Sequence, residues 1–282
     1  MITIGLTTWA DHPSLIENED RKVTLTEYAG FFPVVEVDTS FYGIPRLTTV
    51  ENWQKSVPEK FQFILKANQI MTLHDGVNAD EYLNDEHRLA FTEFCKMVRP
   101  LVEAKQLKTI LLQFPPYFNC ETANIRYLWD IRELMGDLPI SVEFRNQSWY
   151  DPAVQEETML YLKKLRMSHV SVDEPSSVPN GVPLVSTVTN SQLAVLRLHG
   201  QNAEGWAQKG PNWRKTRTLY RYSEEELQSF AKLVKQMQEK SEEVCIIFNN
   251  NSGHDAAENA LRLKEILNIS FDGLGPLQLG LF

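Results

Sequence analysis

The sequence has few cysteines and no long apolar run. Its three cysteines, Cys95, Cys120 and Cys245, form neither a CxxC pair nor a zinc-ligand spacing, which is typical of reduced thiols in a cytosolic protein. No stretch approaches the roughly 20 apolar residues of a membrane span. The first residues, MITIGLTTW, lack the basic and apolar regions of a signal peptide. We therefore expect a cytoplasmic protein with no membrane partner.

Several short enzyme motifs are absent as well. The sequence contains no phosphate-binding P-loop, no GxGxxG loop and no GxSxG nucleophile elbow. Its net charge of -9 argues against nonspecific nucleic-acid binding over the whole surface, but it leaves room for a local basic site. The 282 residues suffice for one large α/β domain or two ordinary ones, and no linker or low-complexity segment divides them.

Short β-rich runs alternate with segments of helical periodicity. The eight runs are ITIGLTT, VVEVD, FQFILKA, TILLQF, PISVEFR, HVSVD, AVLRLHG and CIIFNN. This alternation predicts a parallel sheet, closed into a single α/β TIM-type (β/α)8 barrel over residues 1–272, followed by a tail over residues 273–282. Residues 174–193 contain three prolines and no helical pattern. The sixth helix is therefore predicted to be missing or irregular.

Charged residues interrupt these otherwise apolar strands with a period of two. In VVEVD, Glu36 and Asp38 share one face and the valines share the other. The face toward the helices must be apolar, so the polar face is predicted to line the barrel lumen, near the strand ends where barrel enzymes hold their active sites. The predicted lumen residues are Thr7, Glu36, Asp38, Lys66, Gln113, Glu143, Arg145, Asp173, Arg197, His199 and Asn249.

Acids and bases nearly balance in this set, which allows three interpretations. Paired carboxylates suit general acid and base catalysis, as in glycoside hydrolysis, and the predicted catalytic residues are Glu36, Glu143, Asp173 and His199. The same groups suit a divalent metal ion, although Lys66, Arg145 and Arg197 would repel it. The third interpretation is a structural network of ion pairs that fixes the order of the strands.

The loop after the seventh strand, GQNAEGWAQKGPNWRKTRTLYRYS, carries five basic residues against a single acid, Glu204. The basic residues are Lys209, Arg214, Lys215, Arg217 and Arg221, and the interleaved aromatic residues are Trp206, Trp213, Tyr220 and Tyr222. Basic groups among aromatic rings favour an anionic small molecule or a nucleic acid, although a packed surface flap is an alternative. The predicted substrate-binding residues are Asp38, Lys66, Gln113, Arg145, Arg197, Trp206 and Asn249.

Eight motifs in order resemble the YecE-like family, domain of unknown function 72. They are EVDTSFYGIP, FILKANQIMTLH, LLQFPPYF, VEFRNQSW, VSVDEP, LRLHG, RYSEEEL and IIFNNNSGHDAAENALRL. The resemblance implies a TIM-type barrel. Comparison of that family with endonuclease-four and sugar-isomerase barrels implies a DNA-repair-like role, but this sequence lacks the corresponding histidine-rich zinc site. It also departs from the family near the first loop, which reads TTWADHP.

The last residues add a second hypothesis for function. Gln278, Leu279, Leu281 and Phe282 resemble the QLxLF peptide that bacterial proteins insert into the replication sliding clamp. A tail folded back on the barrel is the alternative. The first hypothesis is thus an enzyme, a hydrolase or lyase acting on a phosphate- or sugar-containing substrate. The second is a non-catalytic binding module for DNA repair or replication, recruited to the clamp by its tail.

Overall fold

The structure is a computed structural model that describes residues 1–16, 20–77, 85–208, 210 and 213–276. Eight parallel strands form a closed barrel in sequence order. The strands are β1 Ile2–Thr7, β2 Val34–Val37, β3 Gln62–Lys66, β4 Leu107–Gln113, β5 Ile140–Glu143, β6 Met167–Asp173, β7 Leu193–Leu198 and β8 Glu243–Phe248. The prediction of a TIM-type barrel from the alternating pattern is therefore confirmed.

The helices surround the barrel, and several begin or end where the sequence places a capping residue. They are α1 Leu25–Tyr28, α2 Thr39–Tyr42, α3 Leu47–Lys55, α4 Asp85–Met97, α5 Arg99–Glu103, α6 Thr122–Met135, α7 Gln155–Lys164, α8 Ala203–Ala207, α9 Trp213–Arg217, α10 Glu224–Gln238 and α11 Asp255–Leu267. Ser223 and Glu226 form a reciprocal capping box at the start of α10. Gly136 ends α6 with a positive φ of 57°. None of the helices in the described ranges is long and apolar enough to cross a lipid bilayer.

The chain between β6 and β7 forms no helix over residues 174–192, all of which the structure describes. This irregular segment is tied to the barrel by side-chain hydrogen bonds. Gln147 Nε2 donates to the Gly181 carbonyl at 2.8 Å, and the Val182 amide donates to Glu174 Oε1 at 3.0 Å. The predicted loss of the sixth helix is confirmed.

The strand register decides which side chains enter the lumen, because residues paired on neighbouring strands present their side chains on the same face. Thr7 pairs with Glu36 on β2, and Gln113 pairs with Glu143 on β5. Arg197 on β7 contacts both Glu36 and Glu143 across the lumen. The period-two prediction of an inward polar face is thus correct for strands β1, β2, β4, β5 and β7.

Strand β6 is the exception. The set of its side chains that was predicted to face the lumen faces outward, and the alternate set faces inward. Arg197 points inward and pairs with Val172, so Val172 faces the lumen and Asp173 faces outward. The Asp173 carboxylate accepts hydrogen bonds from Tyr222 at 2.6 Å and from Gln201 at 2.5 Å. Tyr222 packs against Phe230 of α10, which lies outside the barrel. Asp173 is therefore a partner of the outer layer and is not a lumen residue.

The opposite end of the lumen is closed by a separate ion pair. Lys108 lies at an irregularity between β3 and β4 and contacts the carboxylate of Glu243. Thr3 also donates to Glu243, at 2.5 Å. Of the predicted tail, residues 273–276 are described, and the Gly275 amide donates to the Ala29 carbonyl at 2.8 Å. The clamp-binding-like residues Gln278, Leu279, Leu281 and Phe282 lie outside the described residues.

Candidate functional site

Arg197 lies at the centre of a fully buried ion-pair cluster in the lumen. Its Nε and Nη2 donate to the two carboxylate oxygens of Glu36 at 2.8 and 2.6 Å. Its Nη1 donates to Glu143. The side chains of all three residues are at most 1% exposed. Three strands that are distant in sequence are thus joined by one guanidinium group.

Glu143 is held by several donors at once. Besides Arg197, it accepts a hydrogen bond from Gln113 Nε2 at 2.7 Å, forms an ion pair with Arg145 Nη2 at 2.5 Å, and lies 3.4 Å from His199 Nε2. Burial alone would raise the pKa of Glu143, but Arg145 and Arg197 hold that pKa well below its usual value. Glu143 therefore stays ionised at neutral pH and anchors the two arginines.

Glu174 joins the cluster from the end of β6, where Asp173 was predicted. Its carboxylate accepts a hydrogen bond from Arg145 Nη1. Because Asp173 points outward, the next residue points inward, which places this acid in the lumen. The sequence contained one signal for it, an acid directly after Asp173 in the run VDEP.

Glu143, Glu174 and His199 form the one group in the described residues whose ligand atoms lie close enough to hold a metal ion, within 4.8 Å of one another. The Arg145 guanidinium contacts both carboxylates, and its Nη2 lies 3.1 Å from His199 Nε2. A cation already occupies the space between the three groups. Burial and Arg145 lower the pKa of His199; a neutral ring is the form that binds metals, so the objection to a metal ion rests on the position of Arg145. This arrangement fits an arginine and does not fit a divalent metal ion.

Two acids of the cluster titrate near neutrality. Burial raises the pKa of Glu36 to about 7 against the opposing effect of Arg197, and Asp38 adds to the rise. Burial likewise raises the pKa of Glu174 to about 7, opposed by Arg145. Carboxyl groups with such values are characteristic of sites that exchange protons.

A cleft of about 700 Å³ opens above the cluster at the C-terminal ends of the strands. Lys66 and Asp38 line one side, with Nζ and Oδ1 3.8 Å apart. Trp206 lies on another side near two guanidinium groups, with its ring centroid 5.2 Å from Arg145 and 4.9 Å from Arg217. The cleft therefore combines cations with aromatic surface.

The structure divides the predicted site residues into three groups. Asp38, Lys66, Gln113, Arg145, Trp206 and Asn249 line the cleft. Glu36, Glu143, Arg197 and His199 lie buried below it, at 0 or 1% exposure. Asp173 belongs to neither group, as described above. His199 is linked to the cleft by Asn249, whose side-chain amide lies 2.7 Å from Nδ1.

Part of the basic loop after β7 lines the cleft. Arg217 and Trp213 line the cleft, whereas Arg221 is exposed and pairs with Asp255 and Glu258. Lys209 lies outside the described residues, as do the side chains at positions 214 and 215. Of the two basic residues in this loop whose side chains are described, Arg217 lies at the site and Arg221 does not.

A profile of the family described as "Protein of unknown function DUF72" matches residues 3–279. The chain belongs to the DUF72 family. The UPF0759 protein YunF of Bacillus subtilis is 40% identical to it over the full length of both chains. YecE of Escherichia coli is 27% identical over 56% of this chain and 54% of its own length. The predicted YecE-like membership is confirmed.

Solved structures of DUF72 proteins have the same fold. One from Enterococcus faecalis superposes with a TM-score of 0.90 at 42% identity, covering 99% of this chain and all of the other. One from Thermotoga maritima gives 0.79 at 28% identity, covering 95% of this chain and all of the other. The barrel that positions the cluster is therefore shared with these relatives.

The raised pKa of Glu174 predicts a stability difference between wild type and Glu174→Gln that depends on pH. Glu174 has an ordinary pKa of 4.5 when unfolded and about 7 when folded, so between these values the folded state binds more protons. Its contribution is present below pH 4.5 and is lost as the pH rises through 7. From pH 8 to pH 5, wild type should gain about 2–3 kcal/mol relative to the variant, as measured by urea unfolding. If the free energies of unfolding of wild type and Glu174→Gln changed equally with pH, Glu174 would not titrate in this range.

Proposed function

We propose that the protein is an enzyme, a hydrolase or lyase, acting on a small substrate that carries a phosphate or carboxylate group. One observation carries the proposal, namely the charge of the cleft. Among the described residues that line it, Lys66, Arg145 and Arg217 are cationic and Asp38 is the one acid. An anionic ligand would neutralise this excess, and arginine suits both phosphate and carboxylate.

Unpaired donors at the same place support an anionic ligand. Trp206 Nε1 and Arg217 Nε are buried and have no hydrogen-bond acceptor among the described residues. Buried donors normally have a partner, since an unpaired one costs about 1–3 kcal/mol. Both side chains line the cleft, although these two nitrogens have almost no exposed surface, so a bound anion would reach them after a small shift of the surrounding side chains.

The cleft also suits the uncharged part of such a substrate. Its aromatic side chains include Phe41, Tyr42, Phe114, Tyr117 and Trp213. Aromatic faces stack on sugar rings and bases. A volume of about 700 Å³ lies within the usual range for small-molecule sites. A phosphorylated sugar or a mononucleotide therefore fits both the charge and the size.

A purely structural network is a weaker explanation of the whole arrangement. It accounts for the buried contacts of Arg197, but not for a cationic cleft above them. Asp38 lines that cleft, and its Oδ1 has no hydrogen-bond partner among the described residues. A carboxylate beside the bound ligand is the basis for the catalytic part of the proposal.

The test is anion binding by wild type, Arg217→Gln and Arg221→Gln. Arg221 is the matched control, because it lies in the same loop but pairs with acids at the surface. Titration calorimetry with inorganic phosphate, sugar phosphates and nucleoside monophosphates should show binding to wild type. Arg217→Gln should weaken it at least about 10-fold, whereas Arg221→Gln should leave it unchanged. Equal weakening by both variants, or no binding of any such compound, would contradict the proposal.

A further inference from the structure

Lys66 places a primary amine in the cleft at the C-terminal end of β3. Its Nζ lies 3.8 Å from Asp38 Oδ1 and 4.7 Å from the ring centroid of Phe41. The side chain is 13% exposed. Among the described residues, Nζ has no acceptor within hydrogen-bond distance. The amine is therefore held in position by packing and by one carboxylate, and it faces the ligand space.

The choice of residue at this position is informative. Two other basic residues among those described line the cleft, and both are arginines, Arg145 and Arg217. Arginine is the better clamp for an anion, since its guanidinium is always charged and bonds in a fork. Lysine differs in being able to lose its proton and attack carbon. A lysine among arginines thus indicates chemistry rather than charge alone.

The surroundings make the ammonium proton of Lys66 easier to remove than it is in water. Burial lowers the pKa of Lys66, and Arg197 adds to this effect, whereas Asp38 opposes it. The buried lysine at the other end of the lumen, Lys108, is instead paired closely with Glu243. Lys66 therefore combines access to the cleft with a looser ion pair.

We infer that Lys66 is a nucleophile that forms a Schiff base with the carbonyl group of a phosphate-bearing ketone or aldehyde, with Asp38 as its proton carrier. This inference rests on the proposed function, and it narrows the substrate to carbonyl compounds and the reaction to a lyase type. Arg145 and Arg217 bind the phosphate, and Lys66 reaches the carbonyl carbon in the same cleft.

The proposed step balances with the groups named. The neutral amine of Lys66 attacks the carbonyl carbon, a C–N bond forms, and the C=O π bond breaks to leave an alkoxide. Asp38 accepts one proton from nitrogen and passes it to this oxygen, which gives a carbinolamine. Asp38 then carries the second nitrogen proton to the hydroxyl, the C–O bond breaks, and water departs with both protons of the amine. The product is an imine linking Lys66 to the substrate, formed without an oxidant or reductant.

The experiment traps this imine by reduction. Wild-type protein is incubated with dihydroxyacetone phosphate, and sodium borohydride is then added. Hydride from borohydride converts the imine to a stable secondary amine. The adduct adds the mass of the ketone less one oxygen atom. Peptide mass spectrometry should place the adduct on Lys66 at least about 10-fold more often than on the exposed Lys55 and Lys163.

Lys66→Arg is the matched variant, since it keeps the charge but cannot form the imine. It should lose the adduct and still bind inorganic phosphate. Labelling of wild-type Lys66 no greater than that of the exposed lysines would overturn the inference, as would unchanged total labelling in Lys66→Arg. Calorimetry with inorganic phosphate is run in parallel. Phosphate binding without an adduct overturns the Schiff-base role alone, whereas absence of both also contradicts the proposed function.

Discussion

Replacing Arg197 with methionine is expected to destabilise the fold by about 3–5 kcal/mol, because removing one partner of a buried ion pair leaves the other unpaired. Here two carboxylates, Glu36 and Glu143, lose their shared donor at once, and neither is more than 1% exposed. Urea unfolding at pH 8, where both acids are ionised, measures the loss as a lower midpoint with an unchanged slope.

Arg262→Met is the control for this prediction. Arg262 also contacts two acids, Glu224 and Glu265, but on the surface, where its own side chain is 48% exposed. Exposed pairs contribute about 0–1 kcal/mol. In the double variant Arg197→Met with Glu36→Gln, part of the lost stability should return, because one unpaired charge is gone. Equal losses in the two single variants would show that the lumen cluster is not desolvated as described.

The cluster gives the cleft a rigid floor. Arg145 is fixed from below by Glu143 and Glu174, so its guanidinium stays in place under Trp206. The ionic network and the ligand site are therefore two layers of one arrangement, in which buried charges orient the groups that face the substrate. Such support of contact residues by a second layer is what precise binding requires.

The barrel could be predicted from the sequence because separate local signals indicated the same fold. Eight apolar runs predicted the strands, and helix ends in the structure coincide with capping residues such as Ser223 and Gly136. The loss of the sixth helix followed from its prolines. Local signals of this kind depend on neighbouring residues only, and they survive folding unless tertiary contacts override them.

The sequence pattern could not show which face of β6 points into the lumen. Every residue of MSHVSVD is buried, so period two shows that the strand has two faces but not which one is inside. The outward polar residues are satisfied by partners far along the chain. The Nε2 atom of His169 shares a hydrogen bond with the Tyr150 hydroxyl at 3.0 Å. The backbone amide of His169 donates to the Thr189 hydroxyl at 2.7 Å. Thr189 belongs to the segment that replaces the sixth helix, so irregular chain with polar groups covers part of this face.

The roles of individual acids also needed the three-dimensional arrangement. Glu36 and Glu143 look alike in the sequence, and both were expected to exchange protons. The number of donors around each separates them, since Glu143 is surrounded by Arg145, Arg197 and Gln113. Their burial below the cleft leaves Asp38 as the acid that can touch a ligand among the described cleft residues.

Asp38→Asn is expected to separate binding from chemistry. The variant removes the only acid among the described cleft-lining residues, so phosphate should bind as tightly as to wild type or more tightly. It also removes the proton carrier beside Lys66, 3.8 Å away. The rate of imine formation with dihydroxyacetone phosphate, followed by timed borohydride trapping, should fall about 100-fold or more.

Asp173→Asn is the control, because Asp173 also follows the apolar core of a strand but faces Tyr222 outside the lumen. It should leave trapping at Lys66 unchanged, even if the loss of a charged hydrogen bond lowers stability by about 1–3 kcal/mol. A rate that falls in Asp173→Asn and not in Asp38→Asn would restore the original phase of β6 and remove Asp38 from the proposed reaction. Weaker phosphate binding in Asp38→Asn would mean that the carboxylate holds the ligand rather than moving its proton.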